Sequence, residues 1–153
     1  APQRLAHRDL QSANLQLRPG PDGRLQLALI DFQGAFLAPP EYDLVCLLRD
    51  SYCELDAAEL EHQIARVRPQ LPDAPAPESF WLRFDALTLT RKGKDLARFV
   101  QAARERGDRR YMAYLDPTRR MLLRAAQRAA VQLPALAGLA GLVAELPESP
   151  CAR

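Results

Sequence analysis

The sequence has no long apolar run, few cysteines and almost no excess charge. None of its 153 residues belongs to a segment long and apolar enough to cross a membrane, and residues 1–4 do not begin the apolar stretch of a signal peptide. Its 21 Lys and Arg residues nearly balance its 19 Asp and Glu residues, and the two signs are interspersed, so nothing indicates a nucleic-acid-binding surface. We therefore expect a cytoplasmic protein that binds neither membrane nor nucleic acid.

The three cysteines, Cys46, Cys53 and Cys151, are an odd number and lack the spacing of a metal site. Cys46 and Cys53 lie a heptad apart in an apolar segment, which predicts two buried thiols rather than a disulfide. Unpaired thiols favour a reducing compartment. Hydrophobic residues make up 48% of the chain, which is enough for one domain with its own core.

The stretch 7–14 reads H-R-D-L-Q-S-A-N, the pattern of the catalytic loop in enzymes with a protein-kinase-like fold. Downstream, an apolar run ends in Asp31-Phe32, where such kinases carry a metal-holding aspartate. Between the two, short alternating segments flank the turn signal 19–23, which predicts a β-hairpin. Such a hairpin would bring Asn14 and Asp31 together.

Phosphoryl transfer explains these residue types. A carboxylate beside the acceptor hydroxyl orients it and accepts its proton, and Asp9 fits that role. Mg²⁺ prefers oxygen ligands, so the Asn14 amide and the Asp31 carboxylate suit it. We expect His7 to brace the loop rather than to titrate. The competing interpretation makes Asp9 and Asn14 ordinary turn or capping residues, but motif, order and spacing together favour the catalytic one.

An apolar helix is predicted to open at Asp43, for which two interpretations stay open. It is either only a first-turn or N-cap residue, or also a brace for the backbone of the catalytic loop. Arg49-Asp50 is predicted to continue this helix, either facing the acceptor or forming a solvated ion pair. Arg49, Asp50, Arg83 and Arg91 are weak candidates for acceptor contacts.

The rest of the chain is predicted to be helical. A helix over 56–67 is followed by the proline-rich connector 71–77, which we interpret as too short and too embedded to be a domain boundary. A helix from Glu78 presents an aromatic stripe typical of a core, Gly93 is expected to break it, and a further helix over 95–106 ends at Gly107. The remaining predictions are a helix that starts at Asp116-Pro117, an interruption at Pro134, a short helix over 135–146 and a frayed tail over 147–153.

Four arginines form a local basic patch, for which a solvated face is the favoured interpretation. They are Arg104, Arg106, Arg109 and Arg110.

The fold class predicted from these features is mainly α with a small β-hairpin, as in the C-terminal lobe of a protein-kinase-like α+β parent fold. We expect residues 1–153 to form a single lobe, with the catalytic loop and metal hairpin over 7–33 and a helical subdomain over 43–146. A kinase of this type also needs a nucleotide lobe with a phosphate-covering loop and a strand lysine. Because the loop starts at His7, we expect that N-terminal lobe to be absent and the isolated chain to be inactive.

The chain resembles the aminoglycoside phosphotransferase-like superfamily, whose members phosphorylate hydroxyls of small molecules. The residues that carry the resemblance are His7-Arg8-Asp9, Asn14, Ile30-Asp31-Phe32 and Tyr42-Asp43-Leu44. Gln33 in place of glycine after Asp-Phe, and the lack of an A-P-E triplet, separate it from protein kinases. Within the superfamily it is similar to the anomeric kinases for N-acetylmuramate and N-acetylglucosamine. That similarity lies in Ile30–Gln33, Pro40–Val45 and Leu48–Tyr52, and in the layout of Phe84–Leu87, Arg91–Gly93, Phe99 and Arg109–Tyr111.

The resemblance implies an enzyme that transfers phosphate from ATP to an alcohol group, with Asp9 as base and Asn14 and Asp31 as Mg²⁺ ligands. The implied acceptor is the anomeric hydroxyl of an amino sugar in bacterial cell-wall recycling. Arg8 is shared with the sugar-kinase group, whereas Gln11, Ala35 and Ala38 depart from residues common in the superfamily. Aminoglycoside, choline or homoserine phosphotransferases, and a non-catalytic pseudokinase-like binding module, stay open as alternatives.

Overall fold

The computed structural model describes residues 2–146, which form two compact units that divide after Pro75. The described chain is mainly helical, and its strands lie in the first unit. The boundary falls inside the proline-rich connector 71–77, where the sequence indicated no domain boundary. The assignment of the whole chain to a single lobe stays a prediction, and the predicted fraying of 147–153 lies outside the described residues.

Four short strands of the first unit form two antiparallel pairs. The strands are β1 (Arg4–Ala6), β2 (Leu15–Pro19), β3 (Leu25–Leu29) and β4 (Phe36–Ala38). β2 pairs with β3 in the predicted hairpin, and β1 pairs with β4 in a second sheet that the sequence did not predict. The predicted strands are confirmed to within a residue or two at their ends, because local turn chemistry defines them. Gly23, with a φ of 76°, supplies the left-handed residue that the turn requires.

Two helices complete the first unit, namely α1 (Glu41–Leu48) and α2 (Ala57–Val67). The α2 prediction is confirmed, and the Asp56 carboxylate caps the helix by accepting a hydrogen bond of 2.8 Å from the backbone N–H of Glu59. α1 begins before Asp43 and ends at Leu48, so the prediction that Arg49-Asp50 continues it was wrong. The early end also explains why Cys53 is exposed instead of buried, since it no longer shares a helical face with the buried Cys46.

Up to residue 146, the second unit contains three α-helices: α3 (Pro77–Arg106), α4 (Leu115–Gln132) and α5 (Ala137–Ala144). Short 3₁₀ turns precede α4 and α5 at Met112–Tyr114 and Pro134–Leu136. The predicted break at Gly93 was wrong, because α3 runs through it. A glycine costs a helix only about 1 kcal/mol, and buried side chains before and after Gly93 outweigh that cost. The predicted end of α3 at Gly107 is confirmed by its left-handed φ of 64°.

The core of the second unit lies where α3 packs against α4. Phe80 and Phe84 are fully buried and stacked, with ring centroids 5.5 Å apart, as the aromatic stripe predicted. A buried Asp85 carboxylate accepts two hydrogen bonds from the Arg128 guanidinium, which also lies over the Trp81 ring at 3.7 Å from its centroid. This ion pair and cation–π contact fix the register of the two helices.

No helix within residues 2–146 combines the length and the hydropathy that crossing a bilayer requires.

Candidate active site

The loop that follows β1 carries the H-R-D pattern in a constrained backbone. Arg8 has a φ of 82°, a left-handed conformation that is costly for a residue with a side chain. After Asp9 the backbone tightens into the 3₁₀ turn Ser12–Asn14, with the Asn14 N–H donating to the Gln11 carbonyl at 2.9 Å. A strained backbone of this kind persists only where surrounding contacts hold it.

Helix α1 supplies contacts that hold the start of the loop. The Asp43 carboxylate, in the first turn of α1, accepts hydrogen bonds from the backbone N–H groups of His7 (2.7 Å) and Arg8 (3.1 Å). The buried Cys46 thiol, one turn further along, donates to the Arg8 carbonyl at 3.1 Å. Asp43 therefore occupies the first turn and also bonds to the loop, so the two interpretations drawn from the sequence are compatible. His7 contributes its backbone N–H, while both imidazole nitrogens are buried without a hydrogen-bond partner in the described chain.

Asn14 is tied directly to the backbone of Asp9. Its side chain is buried, and its Nδ2 donates a hydrogen bond of 2.8 Å to the Asp9 carbonyl. This contact fixes the orientation of the amide and leaves its Oδ1 oxygen as the atom that could bind a cation. The Asp9 carboxylate is 38% exposed and lies 4.0 Å from the Arg8 guanidinium.

Asp31 lies beside Asn14 because the two residues flank the open end of the hairpin, opposite its turn. The Ile30 N–H donates to the Asn14 carbonyl at 3.1 Å, one step beyond the Leu15–Leu29 pair. Asp31 follows with a left-handed φ of 65°, and Gln33 Nε2 donates to its carboxylate at 2.5 Å. The hairpin thus brings the two predicted ligands to one end of the sheet, as the order of the motifs indicated.

An amide oxygen and a carboxylate fit a magnesium ion better than a softer metal. No group of three or more His, Cys, Asp and Glu side chains that could hold a metal occurs in the described part of the chain. A two-residue oxygen set suits Mg²⁺ because this ion keeps several waters and takes further ligands from substrate phosphates. Asn14 and Asp31 therefore fit the expected ion.

Asp50 and Arg49 are buried just beyond the end of α1, so the solvated-ion-pair interpretation was wrong. They are 2% and 4% exposed. One Asp50 oxygen accepts a hydrogen bond from the Ser12 N–H at 2.7 Å and the other from the Tyr52 N–H at 2.9 Å. The contact of Asp50 with the catalytic loop was not predicted from the sequence. The Asp-Ser pair just after an apolar helix was a signal for an Asx turn, but nothing local pointed to Ser12.

The weak candidates Arg83 and Arg91 lie on α3, in the second unit. Arg91 is buried and Arg83 is half-buried. Their role in binding an acceptor stays a prediction. Within the four-arginine patch, the exposed Arg110 forms a two-pronged ion pair with Asp108, at 2.8 Å and 3.0 Å.

Known proteins match this chain over the region that carries the site. The model of the phosphotransferase enzyme family matches residues 1–81, slightly more than half of the chain. The N-acetylmuramate/N-acetylglucosamine kinase of Pseudomonas aeruginosa is 28% identical over 96% of this chain and 42% of its own length. The kinase of that name from Neisseria meningitidis serogroup B is 29% identical over 94% of the chain and 43% of its own length. A third, from Caulobacter vibrioides, is 41% identical over 42% of the chain and 19% of its own length. The chain spans less than half the length of each of these relatives.

Proposed function

Since this chain belongs to the phosphotransferase enzyme family, we propose that it carries the catalytic residues of a kinase that uses ATP and Mg²⁺ to phosphorylate an amino sugar. The printed names of the relatives support N-acetylmuramate or N-acetylglucosamine as the acceptor. The observation that carries the proposal is the hydrogen bond from Asn14 to the Asp9 carbonyl, beside the hairpin end that holds Asp31. It brings a candidate base and two candidate metal ligands together in one unit.

The proposed reaction assigns Asp9 the role of base. The acceptor hydroxyl oxygen forms a bond to the γ-phosphorus of ATP while the bond from that phosphorus to the β–γ bridging oxygen breaks, and ADP leaves. The hydroxyl proton passes to the Asp9 carboxylate, which first orients the hydroxyl. The anomeric hydroxyl is the proposed site of attack.

Asn14 and Asp31 are the proposed ligands of Mg²⁺, which when bound would neutralise charge on the phosphate oxygens. The hydrogen bond from the Asn14 side chain to the Asp9 carbonyl would hold the candidate metal ligand and the candidate base at a fixed separation. Asp43 supports both by holding the strained loop start through two backbone N–H groups.

The remaining parts of the proposal concern the whole protein. We propose that the chain forms the C-terminal lobe of a two-lobed kinase, since it spans less than half of each relative. With an amino-sugar acceptor, we also propose a cytoplasmic location and a role in cell-wall recycling. Arg49, Arg83 and Arg91 stay proposed acceptor contacts.

The test measures ADP release by the full-length protein that contains this sequence. It receives ATP, Mg²⁺ and one acceptor from a panel of N-acetylmuramate, N-acetylglucosamine, kanamycin, choline and homoserine. We expect turnover with the amino sugars, and Asp9→Asn should lower kcat by about 10²–10⁴-fold because the proton acceptor is lost. The matched control is Asp22→Asn at the exposed hairpin turn, where the carboxylate accepts a hydrogen bond from the Arg24 N–H at 3.1 Å and lies 3.8 Å from the Arg24 Nε, and kcat should not change.

Each other outcome contradicts a defined part of the proposal. Turnover with only kanamycin, choline or homoserine would retain phosphoryl transfer and remove the amino sugar. An unchanged kcat in Asp9→Asn would remove Asp9 from the mechanism. A folded protein that binds ATP but turns over none of the panel would contradict the kinase proposal and favour a non-catalytic binding module.

A further inference from the structure

Asp50 is a buried carboxylate whose two oxygens both accept hydrogen bonds from the backbone. It lies just beyond the end of α1 with 2% of its surface exposed. Its Oδ2 accepts from the Ser12 N–H at 2.7 Å, and its Oδ1 accepts from the Tyr52 N–H at 2.9 Å. Burial of a carboxylate is unfavourable unless such bonds compensate it, so both contacts hold the group where it is.

The hydrogen bond from the Ser12 N–H connects Asp50 to the candidate catalytic loop, close to the candidate base and metal ligand. Ser12 opens the 3₁₀ turn Ser12–Asn14, which follows the candidate base Asp9 and ends at the candidate ligand Asn14. Helix and turn starts leave backbone N–H groups without an internal partner. Asp50 satisfies one of them from a different element, 38 residues away in sequence.

Two aspartates therefore hold the loop from its two ends. Asp43 bonds to the N–H groups of His7 and Arg8 before the candidate base, and Asp50 bonds to that of Ser12 after it. Asp9 lies between these supports, and its backbone carbonyl accepts the hydrogen bond from Asn14 Nδ2. Loss of the second support would let the 3₁₀ turn shift while leaving the start of the loop in place.

We propose that Asp50 is a positioning residue that fixes the Ser12–Asn14 turn and thereby sets Asn14 against Asp9. This role differs from the acceptor contact that the sequence suggested, because both carboxylate oxygens bond to backbone N–H groups. The inference rests on the proposed function for its effect on rate, but the hydrogen bond itself can be tested independently of any activity.

The kinetic test uses the full-length protein with the acceptor that it phosphorylates. Asp50→Asn keeps the shape but offers one acceptor oxygen for two N–H groups, so we expect kcat to fall by about 100-fold with the KM for the acceptor nearly unchanged. Asp50→Glu should not restore the rate, because its longer side chain cannot keep both bonds in a buried site. The matched control is Asp56→Asn, which alters another backbone-capping aspartate of the same unit at the start of α2 and should leave kcat unchanged.

A second variant removes the donor and leaves Asp50 intact. Ser12→Pro deletes the backbone N–H together with the serine hydroxyl, and the extended Gln11 backbone (φ −125°, ψ 164°) is compatible with a following proline. We expect the same loss of kcat as in Asp50→Asn, and no further loss when the two changes are combined. Additive losses would overturn the proposal, as would an increase in KM with kcat unchanged, which would indicate an acceptor contact.

The structural test is the amide resonance of Ser12 in the chain itself. A charge-assisted hydrogen bond should move the Ser12 proton downfield and slow its exchange with solvent, and Asp50→Asn should reverse both changes, whereas Asp56→Asn should not. An unchanged Ser12 amide in Asp50→Asn would overturn the inference even in an active kinase. Conversely, a shifted amide together with a full-length protein that lacks kinase activity would contradict the proposed function and leave the contact established.

Discussion

At the residue scale, the aspartates of this chain differ in what their carboxylates bond to. Asp43 and Asp50 each bond to two backbone N–H groups, and at least one of these lies in the candidate catalytic loop. Asp9, in the same loop, has a carboxylate that is 38% exposed, and Asp31, at the adjoining hairpin end, is also exposed. This division suits a site in which some acids hold the backbone and others meet substrate and metal.

Asp108 provides a pH-dependent test of one such contact. Its carboxylate accepts hydrogen bonds from the Arg110 side chain and backbone, which lower the pKa of Asp108 from 3.8 to about 2. The hydrogen bonds in the folded state favour the ionised carboxylate. The stability that this contact provides is therefore fully present at a pH above the pKa of the unfolded state, and it is lost as the pH falls through the pKa of the folded state. NMR titration of the Asp108 carboxyl should give a midpoint near 2, and Arg110→Gln should move it up towards 3.8.

The neighbouring Arg109 is the matched control for that titration. It is exposed, and Arg109→Gln removes the same charge without removing a hydrogen bond to Asp108. An equal upward shift in Arg109→Gln would show that general charge, not the Arg110 contact, sets the pKa of Asp108.

At the element scale, α3 shows that a single glycine does not end a helix whose side chains are buried on both sides of it. A Cβ built at Gly93 meets nothing within 4 Å, so alanine fits the space. Gly93→Ala should raise the free energy of unfolding by about 0.5–1 kcal/mol, because alanine loses less backbone freedom on folding, and should raise Tm by roughly 1–4 °C. Thermal and denaturant unfolding, followed by circular dichroism, measure both quantities.

Gly107→Ala is the control, for which the opposite change in the free energy of unfolding is expected. A Cβ there also meets nothing within 4 Å, but the φ of 64° is left-handed. Gly107→Ala should therefore lower the free energy of unfolding by about 1–2 kcal/mol. Stabilisation by both substitutions would contradict this account of how α3 continues and ends.

The elements that could be predicted from sequence are those that local chemistry defines. The turn 19–23 and the alternation around it define the hairpin, and Asp56 and Gly107 mark helix ends by capping. The predicted break at Gly93 failed because side-chain burial on both sides of it is a tertiary effect. The Asp50–Ser12 contact could not be predicted, since its two partners meet only when α1 packs against the loop.

At the scale of the whole molecule, the hairpin leaves one face apolar and exposed. Its cross-strand pairs place six apolar side chains on the same side of the sheet, namely Leu15, Leu17, Pro19, Leu25, Leu27 and Leu29. Leu17 and Leu27 face each other and are 69% and 62% exposed. The pair beside them on the opposite face, Arg18 and Gln26, is polar. Exposed apolar patches of this kind mark surfaces that associate.

We therefore expect this 153-residue chain to self-associate through the hairpin, because a net charge of only +2 provides little repulsion between copies. Replacing Leu17 and Leu27 together by threonine keeps a strand-forming residue at each position and removes apolar surface. Sedimentation velocity should show a smaller associated fraction in that variant, and the fluorescence of a bound apolar dye should fall. Replacing Arg18 and Gln26 by threonine alters the adjacent cross-strand pair on the polar face and should not reduce association. Equal association in all three proteins would mean that copies meet through a different surface.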